Sequence, residues 1–113
     1  YKLGLNEVAI GMTLPWFGVE LARARLAQVH LDQAVGLARI YDPAGAVEAG
    51  FLDEAVPAGE LGSRAADMAA ALATLNMEAH RNTKRRVREP LAERLELALQ
   101  RDFAAGGVQV ASS

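Results

Sequence analysis

Apolar positions recur at helical spacing through most of this chain, and only its first residues read as extended. Starting at Trp16, the positions Phe17, Leu21, Ala24 and Ala27 fall at helical intervals, with Glu20, Arg23 and Arg25 on other faces, which predicts a helix. Leu31, Ala34, Val35 and Ala38 predict a short second helix over 31–39. The strongest stripe is Leu61, Ala65, Met68, Leu72 and Leu75, which steps by four and three. Met77, His80, Lys84 and Val87 share one face of a helix running to about Arg88. Leu91, Leu95, Ala98, Leu99 and Phe103 make a last amphipathic helix.

Local punctuation divides these stripes. Residues 1–6 are expected to be extended, and Gly11 to Pro15 a loop, with Pro15 suited to the first turn of the helix after it. Asp42-Pro43 is a helix start: the carboxylate can accept an early backbone N–H, and proline costs nothing at the first helical position. Gly50 suits the left-handed residue that ends that short helix. Phe51 to Val56 reads as a short strand stopped by Pro57, and Asn76 as a helix cap. Pro90 is expected to break or restart the helix around it. Gly106-Gly107 closes the last helix, and Val108 to Ser113 reads as a frayed tail. The pattern is that of a helix-rich piece of an α/β or α+β protein. No internal repeat interrupts it.

Composition narrows the picture. Apolar residues make up 51% of 113, which argues against disorder, and 23 alanines against 5% aromatics favour closely packed helices. A net charge of -2 supplies no global positive field for nucleic acid. There is no cysteine, hence no disulfide and no thiolate metal site, which fits a cytoplasmic setting. No apolar run approaches the roughly 18 residues needed to span a bilayer, so no membrane association is expected. Tyr1-Lys2-Leu3-Gly4-Leu5 reads as the end of a strand already under way. A two-sided strand needs neighbours for its backbone groups, so residues upstream are expected.

Two stretches resemble the enoyl-CoA hydratase/isomerase, or crotonase, superfamily. Leu3-Gly4-Leu5-Asn6-Glu7-Val8-Ala9-Ile10-Gly11, followed by Pro15, is similar to the family segment that carries a catalytic glutamate. Ala46-Val47-Glu48-Ala49-Gly50-Phe51-Leu52-Asp53-Glu54-Ala55-Val56-Pro57 is similar to a second, more specific family stretch. The long helix over 60–75 and Thr83-Lys84 extend the likeness more weakly, to about residue 104. Departures are Asn6 where a proline is usual, one extra residue before Pro15, and Trp16-Phe17-Gly18 in place of a glycine-rich loop. The resemblance implies an α/β fold, the crotonase or ClpP-like ββα superhelix, here mainly its helix-rich C-terminal part. It divides the chain into the end of the core with the glutamate segment (1–57), a helical assembly region (58–105) and a flexible tail (106–113).

It also implies a chemistry, that of fatty acid metabolism by a lyase or isomerase. An acyl-CoA thioester carbonyl becomes an enolate-like oxyanion held by two backbone N–H groups, and a carboxylate moves the proton. Glu7 matches the position of that carboxylate. Residue physics alone would leave it a solvated side chain after a strand. Pro15, Trp16 and Phe17 could wall the acyl pocket, or be ordinary core residues. Lys84 and Arg85, in the densest basic patch, could pair with coenzyme A phosphates, or be a solvated helix face. Coenzyme A is part of the substrate, so no separate cofactor is implied. His30 and His80 are 50 positions apart with no carboxylate pattern, which makes a metal site unexpected, and His80 reads as a hydrogen-bonded core or interface residue. The family's oxyanion donors lie upstream of its glutamate, so the expected partners are an N-terminal part of the same enzyme and, through the C-terminal helices, copies in a homotrimer or hexamer. This chain alone is expected to be inactive. Hydratase and isomerase remain equally open. The alternative is a non-catalytic helical oligomerisation module derived from the same family.

Overall fold

A short antiparallel ladder ties the start of the chain to its middle: β1 (Leu3–Gly4) pairs with β3 (Ile40–Tyr41), Leu3 opposite Tyr41. The computed structural model describes residues 1–106 and the backbone of Gln109 and Val110. Between those strands come a 3-10 turn (Val8–Ile10), β2 (Met12–Thr13), α1 (Trp16–Arg25) and α2 (Gln28–Val35). After β3 come α3 (Pro43–Ala49), a 3-10 turn (Ala58–Glu60), α4 (Leu61–Leu72) and α5 (Met77–Ala104). Of the expected tail, the described residues Gln109–Val110 form β4, paired antiparallel with β2; the rest lies outside the described residues.

The chain divides into two compact units. One comprises residues 1–55 and the chain from Leu91 onward; the other is Val56–Pro90. The first half of α5 thus belongs to the second unit and its second half to the first.

In the first unit the core is built from Ala22, Leu26, Ala34, Tyr41, Ala46 and Ala49, with Leu3, Leu5, Leu31, Val35, Phe51 and Leu52 packed against it. Four of the six buried residues are alanines, whose small side chains let backbones approach. Ala27 N–H donates to the Ala49 carbonyl at 2.8 Å, bringing the end of α1 against the end of α3. Gly50 sits in that contact at φ 101°, where an added Cβ would lie 2.8 Å from the Arg25 carbonyl oxygen. Tyr41 is the one large aromatic in this core. Its ring meets Phe51 at 5.5 Å and His30 edge-on at 5.7 Å, with His30 Nδ1 3.2 Å from its hydroxyl.

The local helix signals are realised. Asp42 accepts the Gly45 N–H at 2.7 Å, and Asn76 accepts that of Ala79 at 2.9 Å, each replacing an orphan donor of a helix start. Four expectations are corrected. First, Phe51–Val56 is not a strand, because the Phe51 and Leu52 N–H groups both return to the Ala46 carbonyl and wrap the end of α3. Second, α2 ends at Val35 rather than running to Arg39: Ala38 takes a left-handed φ of 52°, and Arg39 N–H reaches back to the Gln33 carbonyl, turning the chain out of the helix. Third, Pro90 does not break α5. It removes its own N–H donor and crowds the carbonyl one turn back, a local cost that the strong helix formers on both sides outweigh. Fourth, His80 is exposed and not a core residue.

In the second unit no residue is buried; only Val56 and Arg64 are partly so. The α4 stripe is regular but uncovered, with Leu61 64% and Leu72 49% exposed.

Candidate active site

Glu7 stands between β1 and the first 3-10 turn. Its backbone is fixed there because its carbonyl accepts two bonds, from Ile10 N–H at 3.1 Å and Met12 N–H at 2.8 Å. The tight turn that follows needs Gly11 at φ 81°, which returns the chain into β2. This bend, only a few residues long, fixes where the Glu7 side chain leaves the backbone.

One oxygen of that side chain, Oε2, is buried and has no hydrogen-bond partner among the described residues. Buried polar atoms are almost always paired, so an orphaned carboxylate oxygen calls for an explanation. Glu7 lines a cavity of about 600 Å³ whose other walls are mostly apolar, among them Leu5, Met12, Leu14, Phe17, Leu21 and Phe51. Only one other charged residue lines it, Arg25, which bonds to Asp53 at 2.5 Å. Both partners of that pair are more than half exposed, so solvent screens it and it contributes little to stability. A concave apolar chamber with one convergent polar group is the usual form of a small-molecule site.

The wall facing Glu7 is largely α1, through Phe17, Gly18, Leu21, Ala22 and Arg25. Their spacing is that of one helix face. Gly18 packs closely against the Leu14 side chain: an added Cβ would lie 2.8 Å from Leu14 Cδ1, which would have to shift. Pro15 also lines the cavity, as the residue just before the first turn of α1.

Of the residues singled out from the sequence, Glu7, Pro15 and Phe17 therefore meet around one space. Trp16 does not line it. At about 100° per residue, positions 17, 18, 21, 22 and 25 span one face of α1, and Trp16 falls on the opposite face. It lines two smaller hollows instead, one with Asp102 and Ala105, the other with Arg94 and Ala98. Lys84 and Arg85 are exposed on α5 in the second unit and are not among the residues lining the cavity. Among the described residues no cluster of His, Asp or Glu is placed to hold a metal, and no helix is long and apolar enough to cross a membrane.

Sequence reasoning missed Asp102. It is 7% exposed and accepts two backbone bonds, from Trp16 N–H at 2.8 Å and Phe17 N–H at 3.0 Å. Beside it the Arg101 guanidinium lies 4.8 Å from the Trp16 ring centroid. A signal was present. Leu91, Leu95 and Ala98 step by four and three, and the next position on that face is Asp102, not Phe103. Phe103 is 80% exposed. A carboxylate in line with buried positions demands a partner.

No family model matches the chain. Among solved structures it is similar to an enoyl-CoA hydratase/isomerase family protein from Pseudomonas syringae, with 45% identity and a TM-score of 0.89, covering 90% of this chain and 44% of that one. An enoyl-CoA hydratase from Mycobacterium ulcerans is similar at 36% identity and a TM-score of 0.87, covering 95% of this chain and 47% of that one. Among curated proteins the human mitochondrial enoyl-CoA delta isomerase 1 is 28% identical over 102 residues, 90% of this chain and 33% of that protein. The chain thus spans about a third of the curated relatives it matches and under half of the solved structures.

Proposed function

The chain belongs to the enoyl-CoA hydratase/isomerase (crotonase) family, as a portion consistent with the C-terminal part of its fold, and on that premise we propose that Glu7 is the proton-transferring carboxylate of an acyl-CoA-processing enzyme. The observation that carries this reading is that Glu7 lines an apolar cavity and that one of its carboxylate oxygens, Oε2, is buried without a hydrogen-bond partner among the described residues. A carboxylate so placed has a lone pair free for a substrate C–H, and apolar walls suited to an acyl chain.

In the proposed reaction the Glu7 carboxylate removes a proton from the carbon alpha to the thioester. The electron pair passes to the thioester oxygen as an enolate. Returning the proton at the gamma carbon shifts the double bond; adding water across the double bond instead would be hydration. The donors that hold the oxyanion, and any second carboxylate, belong on this reading to the part of the relatives that the chain does not span. The curated relatives are named delta isomerases, whereas solved structures of higher identity are named enoyl-CoA hydratases, so the reading covers both double-bond migration and hydration. Coenzyme A enters as part of the substrate. Lys84 and Arg85, both exposed, remain candidates for its phosphates.

A second, compatible role is supported by the bare apolar stripe of α4. Leu61, Leu72 and Leu75 present a surface suited to the rest of the enzyme or to copies in a trimer or hexamer.

The test is Glu7→Gln in the complete enzyme, assayed for 3-enoyl to 2-enoyl migration and for 2-enoyl hydration. The amide keeps the shape but cannot take the proton, so kcat is expected to fall by roughly 10²- to 10⁴-fold in whichever reaction the wild type performs. Undiminished turnover by the variant would remove Glu7 from the chemistry.

A further inference from the structure

We propose that Asp102 is a positioning residue for the Glu7 cavity: by holding the first two N–H groups of α1, it fixes the wall that Phe17 presents to the acyl group and so sets which acyl chains are accepted. This rests on the reading of that cavity as an acyl-CoA site.

The first helical residues of α1 have no local cap. The preceding residue is Pro15, which offers no side-chain acceptor. The acceptor comes instead from 86 residues further along the chain, and it is bidentate: Oδ1 takes Trp16 N–H and Oδ2 takes Phe17 N–H. Asp102 is also the only buried charged or polar residue among those described. A helix start needs no such arrangement for stability alone, because Asp42 and Asn76 cap their own helices from the adjoining residue.

What the arrangement adds is location. Two bonds to two successive amides fix both the depth and the rotation of the first turn of α1. Arg101, beside Asp102 in sequence, places its guanidinium 4.8 Å from the Trp16 ring centroid and so contacts the same turn. Phe17, the second clamped residue, is itself a cavity wall. The carboxylate is therefore one residue away from the surface that an acyl chain would touch, without touching it. Displacement of such a wall by about 1 Å is enough to cost on the order of 10²-fold in rate.

The prediction separates positioning from mere stability. Asp102→Asn retains one acceptor but turns an NH₂ group toward the other amide. Measured in the complete enzyme across a series of acyl-CoA chain lengths, it is expected to lower kcat/KM for long chains by about tenfold while the shortest substrate loses far less. Hydrogen exchange at the Trp16 and Phe17 amides should quicken in parallel. Phe17→Ala should shift the same preference, and the double variant should be less than additive, because both act through one wall. Asp42→Ala, which uncaps α3 and does not line the cavity, serves as the control and should leave the chain-length profile unchanged. If Asp102→Asn does not fold, Trp16→Pro removes one clamped N–H at a position that favours proline, and the same shift is expected. A uniform loss across all chain lengths, or strict additivity with Phe17→Ala, would overturn the inference while leaving Glu7 in place. A wild-type enzyme that turns over no acyl-CoA at all would overturn the site reading itself, and the positioning role with it.

Discussion

Alanines are buried in the first compact unit, whereas leucines stand in solvent in the second. Ala22, Ala34, Ala46 and Ala49 lie within a core, while Leu61, Leu72 and Leu75 of α4 and its exit are about half exposed or more. The α4 stripe is the more regular of the two patterns and contains the larger side chains. Regular spacing therefore determines which face of a helix is apolar, but not what covers that face. Burial in the first unit comes from backbone approach: β1 against β3, and the end of α1 against the end of α3. A chamber lies along one side of α1, and Glu7, which carries the one buried, unpartnered side-chain oxygen among the described residues, lines it.

The sharpest way to break this comparison is to put leucine where the first unit has alanine. Ala46 is fully buried at the meeting of α3 with its neighbours, and its carbonyl also receives the N–H groups of Gly50, Phe51 and Leu52. Ala46→Leu has no space to occupy, and a loss of about 1–3 kcal/mol is expected in denaturant unfolding. An unchanged midpoint would mean that the alanine core is not close-packed.

Legibility from sequence divides along physical lines. Signals confined to a few residues were readable: the Asp42-Pro43 start, the Asn76 cap and the left-handed Gly50. Features made by distant residues were not. The pairing of Ile40–Tyr41 with β1 involves two-residue strands, too short for any period to show. Asp102 was hidden because its partners are 86 and 85 positions away, and because the apparent stripe could end equally well at Phe103. The expected strand at 51–56 failed for a related reason. Its residues have strand-like composition, but the amides of Phe51 and Leu52 are already used by the end of α3. Trp16 and Phe17 could not be separated in sequence; only the start of α1 decides which of the two faces the chamber.

A smaller effect, of opposite sign, sharpens the account of the first unit. Ala38 holds a left-handed φ of 52° to close α2, a conformation that a Cβ disfavours. Ala38→Gly relieves that strain, although glycine gains freedom in the unfolded chain. A net stabilisation of up to about 1 kcal/mol is expected, read as a raised unfolding midpoint. Destabilisation would mean that the Ala38 side chain, which is partly buried, contributes packing that outweighs its strained backbone.

The smallest effect is expected in the second unit, and it tests the other half of the comparison. Leu72 lies at the end of α4, 49% exposed, in a unit with no buried residue. Replacing it with serine removes an apolar side chain that is already half in water and substitutes a slightly poorer helix former. For the 113-residue chain the two terms together should cost no more than about 0.5 kcal/mol, the usual range for a surface substitution. A loss near 2 kcal/mol or above would be the signature of a filled core site. In that case the α4 stripe would be packed within the chain itself, and the contrast between a covered alanine core and an uncovered leucine face would fail. If the small cost holds for the chain but the complete enzyme loses several times more, the difference measures what the rest of that enzyme, or a second copy, places over this face.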